Sequence, residues 1–216
     1  MQATTFIDGL AAPLPFSNLD TDQIMPKQFL LGIDKQGLAR GLLYDMRFDG
    51  TGKPRPGFVL NQQQFADVRV LVAGPNFGCG SSREHAVWGL QQFGIQAIVA
   101  SSFGEIFYSN AINNGLVVAM VSPEDAQGLM ADASGAEPVR LAIDIAAGTV
   151  ASPRRVAGFS MSPRHRAMLL QGTDMIGATL ALQADITAFA DRHRRDKPWL
   201  ADVAAKVRSR IDAARG

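Results

Sequence analysis

Val68-Arg-Val-Leu-Val-Ala-Gly-Pro-Asn-Phe-Gly-Cys-Gly-Ser-Ser-Arg-Glu-His-Ala-Val-Trp-Gly-Leu90 decides how this chain is read. Its first six residues are apolar and β-branched, the mark of a buried strand. Beyond the glycines, Ala86, Leu90 and Phe93 fall on one helical face. The stretch is therefore strand, glycine-rich turn, helix. Gly78 and Gly80 allow positive φ and a close approach of backbone to a ligand. Ser81 or Ser82 suits the N-cap of the helix that follows. A helix N-terminus offers N–H groups and the positive end of a dipole, and Arg83 adds a planar fork that fits a carboxylate or phosphate. The expectation is an anion site containing two hydroxyls.

Other readings of the same turn fit less well. A Walker loop needs lysine followed by Ser or Thr, which Ser81-Ser-Arg-Glu84 lacks. The dinucleotide fingerprint needs a third glycine where Arg83 stands. Cys79 and His85 are too close in sequence to support a thiol–imidazole pair, so Cys79 reads as a small residue packed under the turn. Glu84 and His85 read as structural hydrogen-bonding groups rather than metal ligands.

Downstream, Ala97–Ala100 and Leu116–Val121 read as strands. Between them lies a helix carrying Ile106, Asn110 and Asn113 on one face, with Gly115 as its C-terminal cap. Pro123 opens a further helix to about Ala133, with Glu124 and Asp125 in its first turn. This alternation predicts an α/β layer with parallel strands. Val139–Ile145 alternates with period two, and Gly148–Ala151 begins a hairpin partner for it. Pro163–Gln171, Asp185–Arg195 and Ala201–Arg215 have helical spacing.

Upstream there is less pattern. Residues 1–16 carry little signal, and Asn61–Asp67 reads as a short helix. Residues 32–57 form a long excursion rich in glycine and late prolines, with a short helix at Gly37–Tyr44. Asp20 and Asp22 flank Thr21, and by themselves they read as an Asx-type turn that caps backbone N–H groups. Pro26 stops any helix through this stretch.

The chain has 216 residues, 47% of them hydrophobic, and a net charge of +1. That supplies a globular core and gives no basic surplus for nucleic acid. It contains no apolar run long enough to span a membrane, and its N-terminus has no signal-peptide pattern, so a cytoplasmic protein is expected. One cysteine, Cys79, can form neither an internal disulfide nor, alone, an iron–sulfur site. Three histidines, His85, His165 and His193, are too scattered for a self-contained zinc site.

Asn76-Phe-Gly-Cys-Gly-Ser-Ser-Arg-Glu-His85 resembles the signature of the swivelling domain of the aconitase superfamily. Asn18-Leu-Asp-Thr-Asp-Gln-Ile-Met-Pro-Lys-Gln-Phe29 is similar to the start of 3-isopropylmalate dehydratase small subunits. So are Ser102–Gly115, Met168–Gly177 and the run from Asp185 to Leu200. The likeness covers Phe6 to Leu200, which implies a family domain over 1–200 and a helical extension over 201–216.

The resemblance implies an α/β swivelling β/β/α domain with a mostly parallel central sheet, flanking helices and a C-terminal helical tail. It also implies a hydro-lyase that isomerises 2-isopropylmalate to 3-isopropylmalate through 2-isopropylmaleate in L-leucine biosynthesis. Such enzymes pair this chain with a large subunit that carries a [4Fe–4S] cluster, one iron of which binds the substrate hydroxyl. This chain would hold no cofactor. By the same resemblance Ser81 is the catalytic base, acting as an alkoxide, and Ser82 and Arg83 bind a substrate carboxylate. Asp22 moves from turn residue to catalytic-site residue beside Ser81. A second substrate arginine has no secure match, and Arg40 and Arg47 are the candidates. Leu31, Leu42 or Tyr44 would meet the isopropyl group. Sister hydro-lyases acting on homoaconitate, citraconate or dimethylmalate share the central motif, and a non-catalytic module of the same fold is the alternative from another class.

Overall fold

The computed structural model of the chain describes residues 2–30 and 35–215. Among these residues the strands are β1 (Phe6–Leu14), β2 (Val68–Ala73), β3 (Ala97–Ala100), β4 (Val117–Val121), β5 (Arg140–Asp144), β6 (Thr149–Ala151) and β7 (Val156–Ser160). They close a barrel in the order β1-β2-β3-β4-β7-β6-β5. The pairs β1–β2, β2–β3 and β3–β4 run parallel. The pairs β1–β5, β5–β6, β6–β7 and β4–β7 run antiparallel.

The expected mostly parallel sheet is thus corrected to a closed mixed barrel. Two strands absent from the sequence reading make the difference. β1 contains Gly9 and Pro13 and two alanines, a composition of low strand propensity. Yet it pairs with β2 on one side and β5 on the other, so it joins the parallel half to the antiparallel half. A side chain at position 9 would lie 2.6 Å from Arg69 Cβ, so glycine is what lets β1 approach β2 this closely. β7 closes the ring between β4 and β6. Burial follows the two halves: β3 is buried at every position, whereas β7 alternates exposed and buried residues.

Helices follow β1 to β4 and β7: α1 (Thr21–Ile24), α2 (Tyr44–Arg47), α3 (Glu84–Phe93), α4 (Glu105–Asn113), α5 (Pro123–Ala133) and α6 (Pro163–Gln171). α5 packs on β1, β2 and β3, and α4 packs on β4. Within the expected excursion, Leu38–Gly41 and Tyr44–Arg47 are short turns of helix. Val59–Asn61 and Gln63–Phe65 are single 3-10 turns in place of one helix.

One buried polar cluster holds this architecture. Asp132 at the end of α5 is 2% exposed. Its carboxylate accepts from Ser152 Oγ at 2.6 Å and Arg155 Nε at 2.9 Å, and Arg154 approaches at 3.7 Å. Burial alone would push this carboxyl up. The Ser152 and Arg155 hydrogen bonds, with the charges of Arg155 and Arg154, bring it below its ordinary value. Helix α5 is thereby tied to the turn between β6 and β7.

Contacts divide the chain into two compact units, Met1–Asp174 and Met175–Gly216. The second unit is helical: α7 (Met175–Leu180), α8 (Gln183–Asp196), a 3-10 turn at Pro198–Leu200, and α9 (Val203–Arg215). His193, Arg194 and Arg195 occupy the last turn of α8, where they complement the helix dipole.

Candidate functional site

The turn between β2 and α3 is held from two sides. On one, Asn18 N donates to Pro75 O, Gly78 N to Leu19 O at 2.7 Å, and Thr21 N to Cys79 O at 2.9 Å. On the other, Asn76 N donates to Ser102 Oγ at 2.8 Å, and Phe77 and Gly104 exchange backbone bonds with residues 102 and 77. Gly78 has φ +75°, and a side chain there would meet the Phe107 ring at 2.2 Å. The close approach expected at Gly78 is therefore to the protein's own core. Gly80 has φ +93° and lies against Asp20 and Thr21.

The backbone then emerges at the surface. Ser81 and Ser82 are exposed, and the side chain of Arg83 is 22% exposed. The expectation that Ser81 or Ser82 caps α3 is corrected: Arg83 is the N-cap, and its side chain makes no capping bond. Ser81 turns toward α1 instead, where its carbonyl and its hydroxyl both meet Thr21 Oγ1. The uncapped end of α3 keeps its positive dipole end without a side-chain acceptor.

α1 supplies two successive side-chain partners to this turn, Thr21 and Asp22. Asp20 caps α1 in a reciprocal capping box with Gln23, its Oδ1 accepting from Gln23 N at 2.7 Å. The turn role read for this stretch thus falls on Asp20. Thr21 Oγ1 donates to Ser81 O at 3.0 Å and lies 3.1 Å from Ser81 Oγ. Asp22 Oδ1 pairs with Arg83 Nη1 at 2.8 Å, and the same nitrogen donates to Met25 O at 3.3 Å. Asp22, Ser81 and Arg83 are thus assembled at one place, with Ser82 between the last two in the chain. The Asp22–Arg83 pair is open to solvent, since the Asp22 side chain is 60% exposed. A pair of this kind is worth little in stability, and a ligand carboxylate can compete for the arginine.

The residues of the 35–57 excursion do not join this group. Arg47 donates from Nε to Asn61 Oδ1 and from Nη1 to Ala39 O and Leu42 O, and its guanidinium lies 4.7 Å from the Phe93 ring centre. Burial lowers its pKa. It is a structural staple of the excursion. Arg40 is exposed on an open groove of about 320 Å³ that Tyr44, Arg47 and Phe93 also line, and the site residues do not. Leu42 is fully buried, and Tyr44 stacks between Phe29 and Phe48. Leu31 lies outside the described residues.

Two contributors escaped the sequence reading. Thr21 drew no attention beside two aspartates, and no local pattern pairs it with a serine sixty positions away. Asn114, the C-cap of α4, bridges α4 to α3. Its Nδ2 donates to Glu84 Oε1 at 2.6 Å, and its Oδ1 accepts from Trp88 Nε1 at 3.0 Å. It fixes the first turn of α3 just behind Arg83. Glu84 therefore has a structural partner, and His85 packs against Trp88 with ring centres 4.8 Å apart.

The described residues do not offer a donor set for a cluster or metal. Its single thiol, Cys79, is directed at Asn18 O at 3.4 Å. Among the described residues no three or more His, Cys, Asp or Glu are grouped to hold a metal ion. No helix among them is long and apolar enough to cross a membrane.

Comparison with known proteins places this geometry in context. The family model for the aconitase C-terminal domain matches residues 1–124. The model for the C-terminal domain of the 3-isopropylmalate dehydratase small subunit matches residues 175–203. The chain is similar to the 3-isopropylmalate dehydratase small subunit 1 of Chromobacterium violaceum, at 61% identity over 98% of this chain and 100% of that one. It is 47% identical to the 3-isopropylmalate dehydratase small subunit of Phenylobacterium zucineum, over 93% of this chain and 98% of the relative. Among solved structures, a 3-isopropylmalate dehydratase from Methanocaldococcus jannaschii superposes with a TM-score of 0.61 at 25% identity, covering 85% of this chain and 98% of that one.

Proposed function

This chain belongs to the family of 3-isopropylmalate dehydratase small subunits, and from that premise we propose what its own residues do. Its role is that of small subunit in a hydro-lyase of L-leucine biosynthesis that interconverts 2-isopropylmalate and 3-isopropylmalate. The observation that carries the residue assignment is the grouping of Ser81, Ser82, Arg83 and Asp22 at the uncapped start of α3.

Elimination from 2-isopropylmalate takes a proton from carbon 3, beside a carboxylate, while the hydroxyl leaves carbon 2 with the C–O electron pair, to an acceptor that the cluster of the large subunit would supply. The C–H electron pair becomes the double bond of 2-isopropylmaleate. Ser81 Oγ, as the alkoxide, accepts that proton. In the return step Ser81 gives the proton to carbon 2, and hydroxyl is added at carbon 3. A serine hydroxyl is too weak an acid to be deprotonated without help, and the dipole of α3 with the Arg83 charge favours the anion. Ser82 and Arg83 hold a carboxylate of the substrate, Arg83 through its planar fork. Asp22 orients Arg83 through their ion pair, and it yields part of that contact when substrate arrives.

The family name of small subunit supports a large-subunit partner in a heterodimer. The [4Fe–4S] cluster belongs on that partner in this reading, because the donor set here does not fit one. The reading also holds a family domain over 1–200 followed by a helical extension over 201–216. Cytoplasmic location belongs to the same reading.

The test is anaerobic reconstitution with the large subunit, followed by substrate profiling. Interconversion of the two isopropylmalates is expected, with no turnover by this chain alone. Turnover of citraconate or homoaconitate in preference to isopropylmalate would overturn the substrate assignment.

A further inference from the structure

Among the described residues, the buried polar or charged side chains are Thr21, at 1% exposure, and Asp132. Asp132 is committed to Ser152 and Arg155. Thr21 is committed to Ser81. Its hydroxyl has no part in capping α1, because Asp20 does that. With little solvent access, its single proton goes to an acceptor of Ser81: the carbonyl at 3.0 Å or Oγ at 3.1 Å. Its backbone is anchored by the bond from Thr21 N to Cys79 O at 2.9 Å. The hydroxyl is thus pinned from below while Ser81 faces outward.

We propose that Thr21 is a positioning residue for Ser81, and that its hydroxyl is the hydrogen-bond donor that stabilises the Ser81 alkoxide. This rests on Ser81 being the base. While Ser81 is protonated, Ser81 Oγ–H donates to Thr21 Oγ1, and Thr21 donates to Ser81 O. When Ser81 is an alkoxide it can no longer donate. The Thr21 proton then rotates onto Oγ, where the charge is, and a neutral bond to Ser81 O is exchanged for a charge-assisted one. No proton leaves Thr21; it only changes acceptor. Because the donor is buried and already in place, little reorganisation accompanies the change, as for a preorganised oxyanion donor. The same contact fixes the side-chain rotamer of an otherwise exposed serine.

The experiment compares Thr21→Val and Thr21→Ser in the reconstituted two-subunit enzyme. Thr21→Val keeps shape and loses the hydroxyl; kcat should fall about 10²-fold with KM within about twofold. Thr21→Ser should recover most of that loss. In a Ser81→Ala background, Thr21→Val should cost nothing further. Should Thr21→Val fail to fold in a thermal melt, Thr21→Ala provides the same hydroxyl deletion. An unchanged kcat in the variant lacking the hydroxyl overturns the inference. So does a change confined to KM, a Thr21→Ser as slow as Thr21→Val, or a full further loss in the Ser81→Ala background. Failure of the underlying reading is distinguishable, since there Ser81→Ala itself would run at the parental rate.

Discussion

Two aspartate–arginine pairs of nearly equal length sit in this fold and do opposite work. Asp22 and Arg83 are 2.8 Å apart, and Asp132 and Arg155 are 2.9 Å apart. Asp132 is 2% exposed and Asp22 is 60% exposed. The buried carboxylate has its acceptor positions taken by Ser152 and Arg155, so replacing it breaks a network that ties α5 to the turn between β6 and β7. The exposed pair is screened and contributes little to stability. What it preserves is an arginine held in position yet available to a carboxylate from outside. Distance alone would rank the two pairs alike; burial decides which holds the fold and which can receive a ligand.

That contrast can be broken by mutation. At the site corner, Ser81→Ala should reduce kcat about 10³-fold with an unchanged melting temperature, because the proposed general base is lost while nothing in the core is touched. Steady-state kinetics and a thermal melt on the same preparation check both halves. At the buried corner, Asp132→Asn should lower unfolding free energy by about 2 kcal/mol, less than the roughly 3–5 kcal/mol of a fully enclosed pair, since both arginines reach solvent. Turnover of the folded variant should stay at the parental value. A urea titration gives the first number and an assay the second; a large loss of turnover in Asp132→Asn would merge the two corners into one.

Smaller effects sharpen the distinction. Arg83→Lys should cut kcat/KM about tenfold, mainly through KM, because a point charge replaces a bidentate fork. Asp22→Asn should change kcat/KM only a few-fold, with no measurable effect on stability. The pH dependence separates the corners last. The carboxyl of Asp132 is held below its ordinary value in the folded state, so its stabilisation is present above the unfolded carboxylate pKa of about 3.9 and is lost as pH falls through the folded value. The stability gap between parent and Asp132→Asn should therefore narrow on acidification below about pH 4. A gap that stays constant to low pH would show that the charge of Asp132 is not what stabilises.

Much of this was legible before any coordinates. Strands with apolar runs, such as Val70–Ala73 and Ala97–Ala100, announce themselves because burial on both faces demands apolar residues there. Helices with proline at the start, such as α5 and α6, have the bounds that the sequence predicts. The strand Phe6–Leu14 does not announce itself. Its glycine, proline and alanines suit close packing between two neighbours distant in sequence, and strand propensity carries no trace of that.

The site divides the same way. The amino-acid sequence by itself determined which chemistry is present: two hydroxyls and a guanidinium at the start of a helix, a lone thiol, and ordered motifs that identify the family. Local chemistry is carried by neighbours in the chain, and those are written in order. Only the tertiary structure decided that the sheet closes into a mixed barrel, that Arg47 is spent on the fold, and that Thr21 lies beneath Ser81. Each of these depends on contacts between segments far apart in sequence, where packing and solvent exclusion, not spacing along the chain, choose the partner.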